Sequence, residues 1–422
     1  MNTGFDGNRA YNFLQKINFQ RFGGTANEKK AAEIIKNEFK SFGLDARFQE
    51  FKIATSYNFH SECRVVKPYH KDIEISHRVI SGVTPIEGVE AEFKYIESAG
   101  ERYCADIKNK IVMMVGRLDR YVYERLKRHG ALAVLIPMNY NQDLYTVGYD
   151  VDFVKKFGPL PICFISYADA LDLMKSNART LYLKLEDEVD FEGTGVNVIA
   201  EIKGTVKPDE EILFVGHYDT VLCNGLYDNA AGTATVLEMA RHYQQHHPIR
   251  TAKFILFSGE ELGLRGSRAF IEKIKNDNDA LKRKKMVFNF DLGGTILGRN
   301  CVRVTGSDEM YHYIDALNKI EDWDFLIEKD TYSSDNMPFA LEGIPSINFF
   351  RTSLGLGHAL NDTIDHISAE AFEMIGKFAI QLTSGIINAP MLPFKRKISS
   401  DIEKKVKHFF DITSPEEPEE NE

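Results

Sequence analysis

No stretch of this chain is long, apolar and uncharged enough to cross a bilayer, so nothing in it reads as a membrane span. It also lacks any CxxC spacing. Its five cysteines (Cys63, Cys104, Cys163, Cys223, Cys301) are odd in number and scattered, which fits reduced thiols better than a disulfide framework. Cys223 reads as a small buried hydrophobe. There is no excess of positive charge. A net charge of −10 argues against nucleic acid or an anionic membrane as the main partner. The opening MNTGFDGNRAYNFLQ has neither a basic n-region nor an apolar h-region, so no secretory signal is expected and a cytoplasmic location is. What is present is 422 residues with 43 % hydrophobic content, enough for one or two full cores.

Along the chain, residues 8–17 and 25–42 read as helices. The second opens with a capping box, Thr25 with Glu28, and stops at Gly43. A strand is expected over 46–54. From 57 to 192 the texture changes to apolar runs, KIVMMVG from Lys110, ALAVLIP from Ala131 and LPICFIS from Leu160, with a charged helix over 119–129 and an alternating strand over 180–185. The histidines here (His60, His70, His77, His129) have no carboxylate at ligand spacing and read as surface or satisfied groups. This region is expected to be a β-rich α+β domain inserted into another one.

After Gly193 strand and helix alternate, which implies an α/β fold: a mostly parallel central sheet with helices on both faces. Strands are expected over 197–202, 212–215, 253–257, 286–290 and 346–350, with helices over 230–243 and 267–274. Residues 1–56 would supply the first helices and strand of this domain, and 193–394 its bulk. The last segment, 395–422, reads as an amphipathic helix carrying Ile398, Ile402, Val406 and Phe409, then a disordered acidic tail SPEEPEENE.

Ionisable residues fall at the carboxyl ends of these strands: His217 and Asp219, then Asp228; Glu260 and Glu261; Asp291; His358. In open α/β sheets that edge forms the binding crevice. Each piece alone has an ordinary reading. Glutamates of GEELG suit a helix N-terminus, and an aspartate before NAAG suits an N-cap. Together they gather two imidazoles and five carboxylates, a cluster that would repel itself unless cations neutralised it. Two histidines with carboxylates and no cysteine suit zinc, with cobalt or manganese as substitutes, and the ligand count suits two ions.

GHYDT, DNAAG, SGEELGLRGS, FNFDLGG, SSDNMPF and GHALNDT, in this order, resemble the co-catalytic dizinc aminopeptidases, the twenty-eighth metallopeptidase family, over residues 193–390 and the N-terminal helices. The resemblance implies that Asp228 bridges two zincs, one completed by His217 and Asp291, the other by Glu261 and His358. His366 competes with His358 for the last position, and His358 is preferred because it precedes NDT. The resemblance further makes Glu260 the general base and Asp219 the residue that orients His217. It also implies a cis bond at Asp228–Asn229, and an inserted region similar to a protease-associated domain that would wall the cleft. Where that family frequently has His or Tyr after the Ser-Asp pair this chain has Asn336. Asn336 or Tyr332 is therefore the oxyanion candidate.

The expected activity is metallo-aminopeptidase hydrolysis of peptides with a free N-terminus, by hydroxide shared between two zincs. Three alternatives stand beside it: glutaminyl cyclisation at a one-zinc site, carboxypeptidase action using Arg265, Arg268 or Arg351, and a degenerate homologue that only binds peptides. Side-chain preference and oligomeric state leave no mark on the sequence.

Overall fold

The computed structural model describes residues 4–415. The chain forms two compact units, Met1–Ile53 with Thr194–Lys407, and Ala54–Gly193 with His408–Glu422. The inserted region therefore runs from Ala54 to Gly193, beside the expected 57–192. The segment expected to stand apart after 394 does not. Ile398, Ile402 and Val406 are buried, and Lys405 and Asp401 pair with Asp330 and Lys329, so the chain as far as Lys407 belongs to the first unit. In the terminal helix Ser400–Thr413 the buried aromatic is Phe410 rather than Phe409, continuing the four-residue stride from Ile402 and Val406. The acidic tail from Glu416 on lies outside the described residues.

The first unit is built on an eight-stranded sheet. Its order is Ala46–Lys52, Thr194–Ile202, Arg250–Phe257, Lys207–His217, Lys284–Phe290, Ser346–Arg351, Asn300–Thr305, Leu326–Lys329. The central four, from Arg250–Phe257 to Ser346–Arg351, are parallel to one another. The strand Thr194–Ile202, expected among the parallel ones, runs antiparallel to both its neighbours. Residues 203–206 are too short a link for the crossover a parallel pair needs.

Side chains of the central strands are buried on both faces. Ile212 and Phe214 join Phe254, Phe288 and Phe349 in a core that takes in the helix Ala231–Gln245. Leu213 and Val215 join Ile255, Phe257 and Val287 under Phe270, Ile271 and Phe339 from helices Arg265–Ile274 and Asn336–Leu341. Continuous apolar runs such as Ile212 to Val215 are the sequence form of such doubly covered strands. The helix Ala26–Ser41 is N-capped by Thr25, whose hydroxyl accepts the Glu28 N–H at 3.3 Å. The other half of the expected capping box is not made. The Glu28 carboxylate turns inward instead, accepting from the Val196 N–H at 3.0 Å and from the Tyr218 hydroxyl.

The second unit has its own eight-stranded sheet, in which Ile111–Met113, Ala133–Pro137 and Ile162–Ile165 lie side by side and parallel. These are the three apolar runs seen in the sequence. His60 and His129 pair with Glu62 and Glu101, and buried His77 is bonded through Nε2 to the Gly82 carbonyl. All five cysteines are buried and free.

Candidate metal centre

Each candidate ligand sits at the carboxyl end of one of the four parallel strands, where the backbone leaves the sheet and side chains turn toward a common crevice. His217 is the last residue of Lys207–His217, and Asp291 follows Lys284–Phe290 directly. Glu260 and Glu261 follow Arg250–Phe257, and His358 lies in the loop after Ser346–Arg351. Asp228 stands in the turn before the helix Ala231–Gln245, and the Asp228–Asn229 peptide is cis. Asn229 Oδ1 accepts from the Gly232 N–H in the first turn of that helix at 2.8 Å and from the Leu292 N–H at 3.2 Å. With that N–H bonded to Asn229, both oxygens of Asp228 face the crevice.

Those oxygens face different histidines. Asp228 Oδ1 is 3.4 Å from His217 Nε2, and Asp228 Oδ2 is 3.4 Å from His358 Nε2. His217 Nε2 also lies 3.3 Å from Asp291 Oδ1, and His358 Nε2 lies 3.0 Å from Glu261 Oε2. The arrangement is two sets of donors, each an imidazole and a private carboxylate, sharing Asp228. Ligand atoms of His217, Asp228 and Glu261 fall within 4.8 Å of one another. With metal–donor bonds of about 2.0–2.1 Å, the edge of a tetrahedral zinc site is about 3.3 Å long. The observed spacings of 3.0–3.4 Å match that edge. Asp291 Oδ1 and Glu261 Oε1 are buried with no hydrogen-bond donor among the described residues, as ligand atoms would be. The donor set therefore fits zinc. His366, in the short helix Ile364–His366, stands outside these donor pairs.

The electrostatics are those of charges crowded out of water. Burial opposes a charge on His217, yet Glu260 and Asp291 hold its imidazole well above the usual range. Burial likewise opposes His358, which Glu261 lifts to about 9. Burial pushes the Glu260 and Glu261 carboxyls up, the repulsion of neighbouring carboxylates adding to it. Asp228 ends below the ordinary range because its two histidines outweigh its burial. In each case a cation at the centre of the group would relieve the conflict.

Around this group, Asp219 holds three things. Its carboxylate accepts the Glu260 N–H at 3.1 Å and the Glu261 N–H at 3.3 Å, and its Oδ1 lies 3.5 Å from His217 Nδ1. It thereby ties the imidazole to the loop bearing both glutamates. The crevice is closed on the His217 side and open on the other: side-chain exposure is 1 % at His217 and 35 % at His358. Asn336 and Tyr332 are both buried; the Asn336 amide donates to Ser346 Oγ at 3.1 Å and the Tyr332 hydroxyl to the Asp291 carbonyl at 3.2 Å. Arg351 donates to the Thr295 and Ile296 carbonyls and to Asn300, which is structural work.

Three further residues surround the site. Asp362 accepts the N–H groups of Tyr227 at 2.7 Å and Asp228 at 3.0 Å. Its place in GHALNDT, just after His358, is the one signal that pointed to it. Buried Asp335, pushed up to about 7 by burial, lies in the field of His217, Asp219 and Asp291. Arg21, fully buried, reaches the same region from the far end of the chain with no sequence signal at all.

A crevice of two imidazoles and three carboxylates at the carboxyl edge of a parallel sheet defines a metal-binding α/β protein of the zinc-peptidase kind. Residues 197–383 match the sequence model of peptidase family M28. It is 28 % identical to the aminopeptidase YwaD of Bacillus subtilis, over 96 % of this chain and 88 % of that protein. The structure of BSAP, a zinc aminopeptidase from Bacillus subtilis, superposes with a TM-score of 0.76 at 26 % identity, covering 94 % of this chain and 99 % of that one. Carboxypeptidase Q of Bos taurus is 26 % identical over 68 % of this chain and 64 % of that protein. No helix among the described residues is long and apolar enough to cross a membrane.

Proposed function

We propose that this protein is a two-zinc aminopeptidase that removes residues from the free N-terminus of peptides. The observation that carries the reading is the division of Asp228, one oxygen toward His217 and the other toward His358, each histidine backed by its own carboxylate. His217, Asp228 and Asp291 would hold one ion, and Asp228, Glu261 and His358 the other. Bound zinc lowers the pKa of water toward about 7 and polarises a carbonyl oxygen.

The chain's own residues supply the rest. Glu260 has its backbone anchored on Asp219 and keeps partial access to solvent, so its carboxylate takes the proton of the attacking water and returns it to the leaving amine. Asp219 keeps the His217 Nδ1 proton in place, so that Nε2 presents its lone pair. The free α-amino group of the substrate binds at the open, His358 side. The Asn336 amide donates to Ser346 Oγ and the Tyr332 hydroxyl to the Asp291 carbonyl, so the two sequence candidates for holding the oxyanion are bonded within the protein, and bound zinc would supply that polarisation. The inserted unit, by its sequence resemblance, is a protease-associated domain.

The deciding experiment combines metal analysis with paired substrates. About two zincs per chain, cleavage of aminoacyl p-nitroanilides and inertness toward N-blocked peptides are expected, with loss on chelation and recovery with zinc. A single zinc per chain would favour glutaminyl cyclisation. Cleavage of N-blocked peptides from the C-terminus would make the protein a carboxypeptidase.

A further inference from the structure

The segment between His217 and Asp228 must place two donors of the metal centre at a set distance, although it is a loop with little regular structure of its own. It is gripped from two sides by opposite charges. Arg21 donates from Nε to the Tyr218 carbonyl at 2.6 Å, from Nη1 to Asn224 at 2.7 Å and from Nη2 to Gly225 at 2.9 Å. Its remaining bonds run from Nη1 to the carbonyls of Ile17 and Phe19, at 2.6 and 2.8 Å, which fix the guanidinium to its own chain. Asp362 meets the same loop on its donor side, Oδ1 taking the Tyr227 N–H and Oδ2 the Asp228 N–H. Both side chains are fully buried.

We propose that Arg21 and Asp362 form a split ion pair across this loop, the cation on its carbonyls and the carboxylate on its amides, and that the pair positions Asp228 relative to His217 and so sets zinc affinity. The proposal rests on the metal reading of the site given above. Bonds to charged groups are stronger than neutral ones, and a buried planar fork that satisfies five carbonyls cannot be replaced by the point charge of lysine. Asp362→Asn would keep one acceptor and turn an amide donor onto a backbone N–H. Arg21 also places a fixed positive charge in the field of Asp219, Asp228 and Asp362, offsetting part of the repulsion within the acidic group.

The test uses full-length Arg21→Lys, Asp362→Asn and the double variant, with Arg250→Lys as control. Arg250 is equally buried and also bonds main-chain carbonyls, those of Ile387 and Ala389, but it begins its strand at the edge opposite the metal centre. Zinc affinity is read by competition with a chromogenic chelator, geometry by the visible absorption of the cobalt-loaded chain, and folding by thermal unfolding of the metal-free chain. The expected result is zinc binding weakened about 10–100-fold by either variant, with an altered cobalt spectrum. The double variant should lose less than the product of the single losses, because the two act on one loop. Arg250→Lys should lower the unfolding temperature alone. Affinity and spectrum unchanged in folded Arg21→Lys and Asp362→Asn overturn the clamp, as does an Arg250→Lys effect on zinc of equal size. A wild-type chain that binds no zinc instead overturns the metal reading itself.

Discussion

Replacing Glu260 by Gln isolates the proton-transfer step from everything else the site does. The Glu260 backbone N–H remains on Asp219 whatever the side chain, and glutamine has nearly the same volume. None of the imidazole–carboxylate spacings that define the two donor sets involves Glu260, so zinc content should stay at the wild-type level. What is lost is a base within reach of the attacking water, an effect typically of 10²–10⁴ in rate, or roughly 3–5 kcal/mol of barrier. We expect kcat on an aminoacyl p-nitroanilide to fall about a thousandfold with KM little changed, the pattern of an interaction made only in the transition state. The assay is steady-state hydrolysis with metal content measured on the same preparation. A kcat within tenfold of wild type would remove Glu260 from the proton path. Loss of zinc would show instead that Glu260 is a ligand.

Further outcomes can be worked from the same contacts. Asp219→Asn leaves one of the Glu260 and Glu261 amides facing a donor, which should cost about 1.5–3 kcal/mol and lower kcat/KM roughly 10–100-fold; unaltered kinetics would show that the two glutamates hold their places without it. Gly232→Ala would bring a Cβ to 2.1 Å from the Phe290 carbonyl and 2.4 Å from Asn229 Oδ1, with backbone on one side and the helix cap on the other. A loss of about 3 kcal/mol in denaturant unfolding is expected, and a neutral result would mean that the helix can move off the strand. Glu28, pushed up to about 7 by burial, keeps a proton in the folded chain that the unfolded chain has lost, so its contribution to stability is present below about pH 4.5 and lost as pH rises through 7. In the metal-free chain Glu28→Gln should therefore gain on wild type by roughly 3 kcal/mol between pH 4 and pH 8. A difference between the two that does not vary with pH contradicts the raised carboxyl.

The parallel core was legible because it has a local signature. Ile212 to Val215 is apolar without interruption, as a strand covered on both faces must be, and a polar group two or three residues beyond such a run falls at the sheet's carboxyl edge. The details that failed depend on choices local pattern does not make. Thr194–Ile202 looks like any buried strand, and its direction was settled by the short link 203–206 and by pairing with Ala46–Lys52. Glu28 completes a capping-box spacing, yet its carboxylate gains more from the Val196 amide and the Tyr218 hydroxyl than from its own helix end. Asp228 suits an N-cap in sequence, yet in the fold it is Asn229 Oδ1 that accepts the Gly232 N–H, and Asp228 turns to the two histidines.

By itself, then, the sequence determined which residue types stand at which strand ends, and so the chemistry on offer: imidazole and carboxylate, hard and nitrogenous donors, no thiolate. Only the tertiary structure decided that Asp228 divides its oxygens between His217 and His358, and that Arg21 and Asp362 hold the loop between the donors. Periodicity and spacing report contacts between neighbours in the chain, because those follow from backbone geometry alone. The bonds of Arg21 to Tyr218 and of Asp362 to Asp228 span 197 and 134 positions, and they exist only once the sheet has brought its strand ends together.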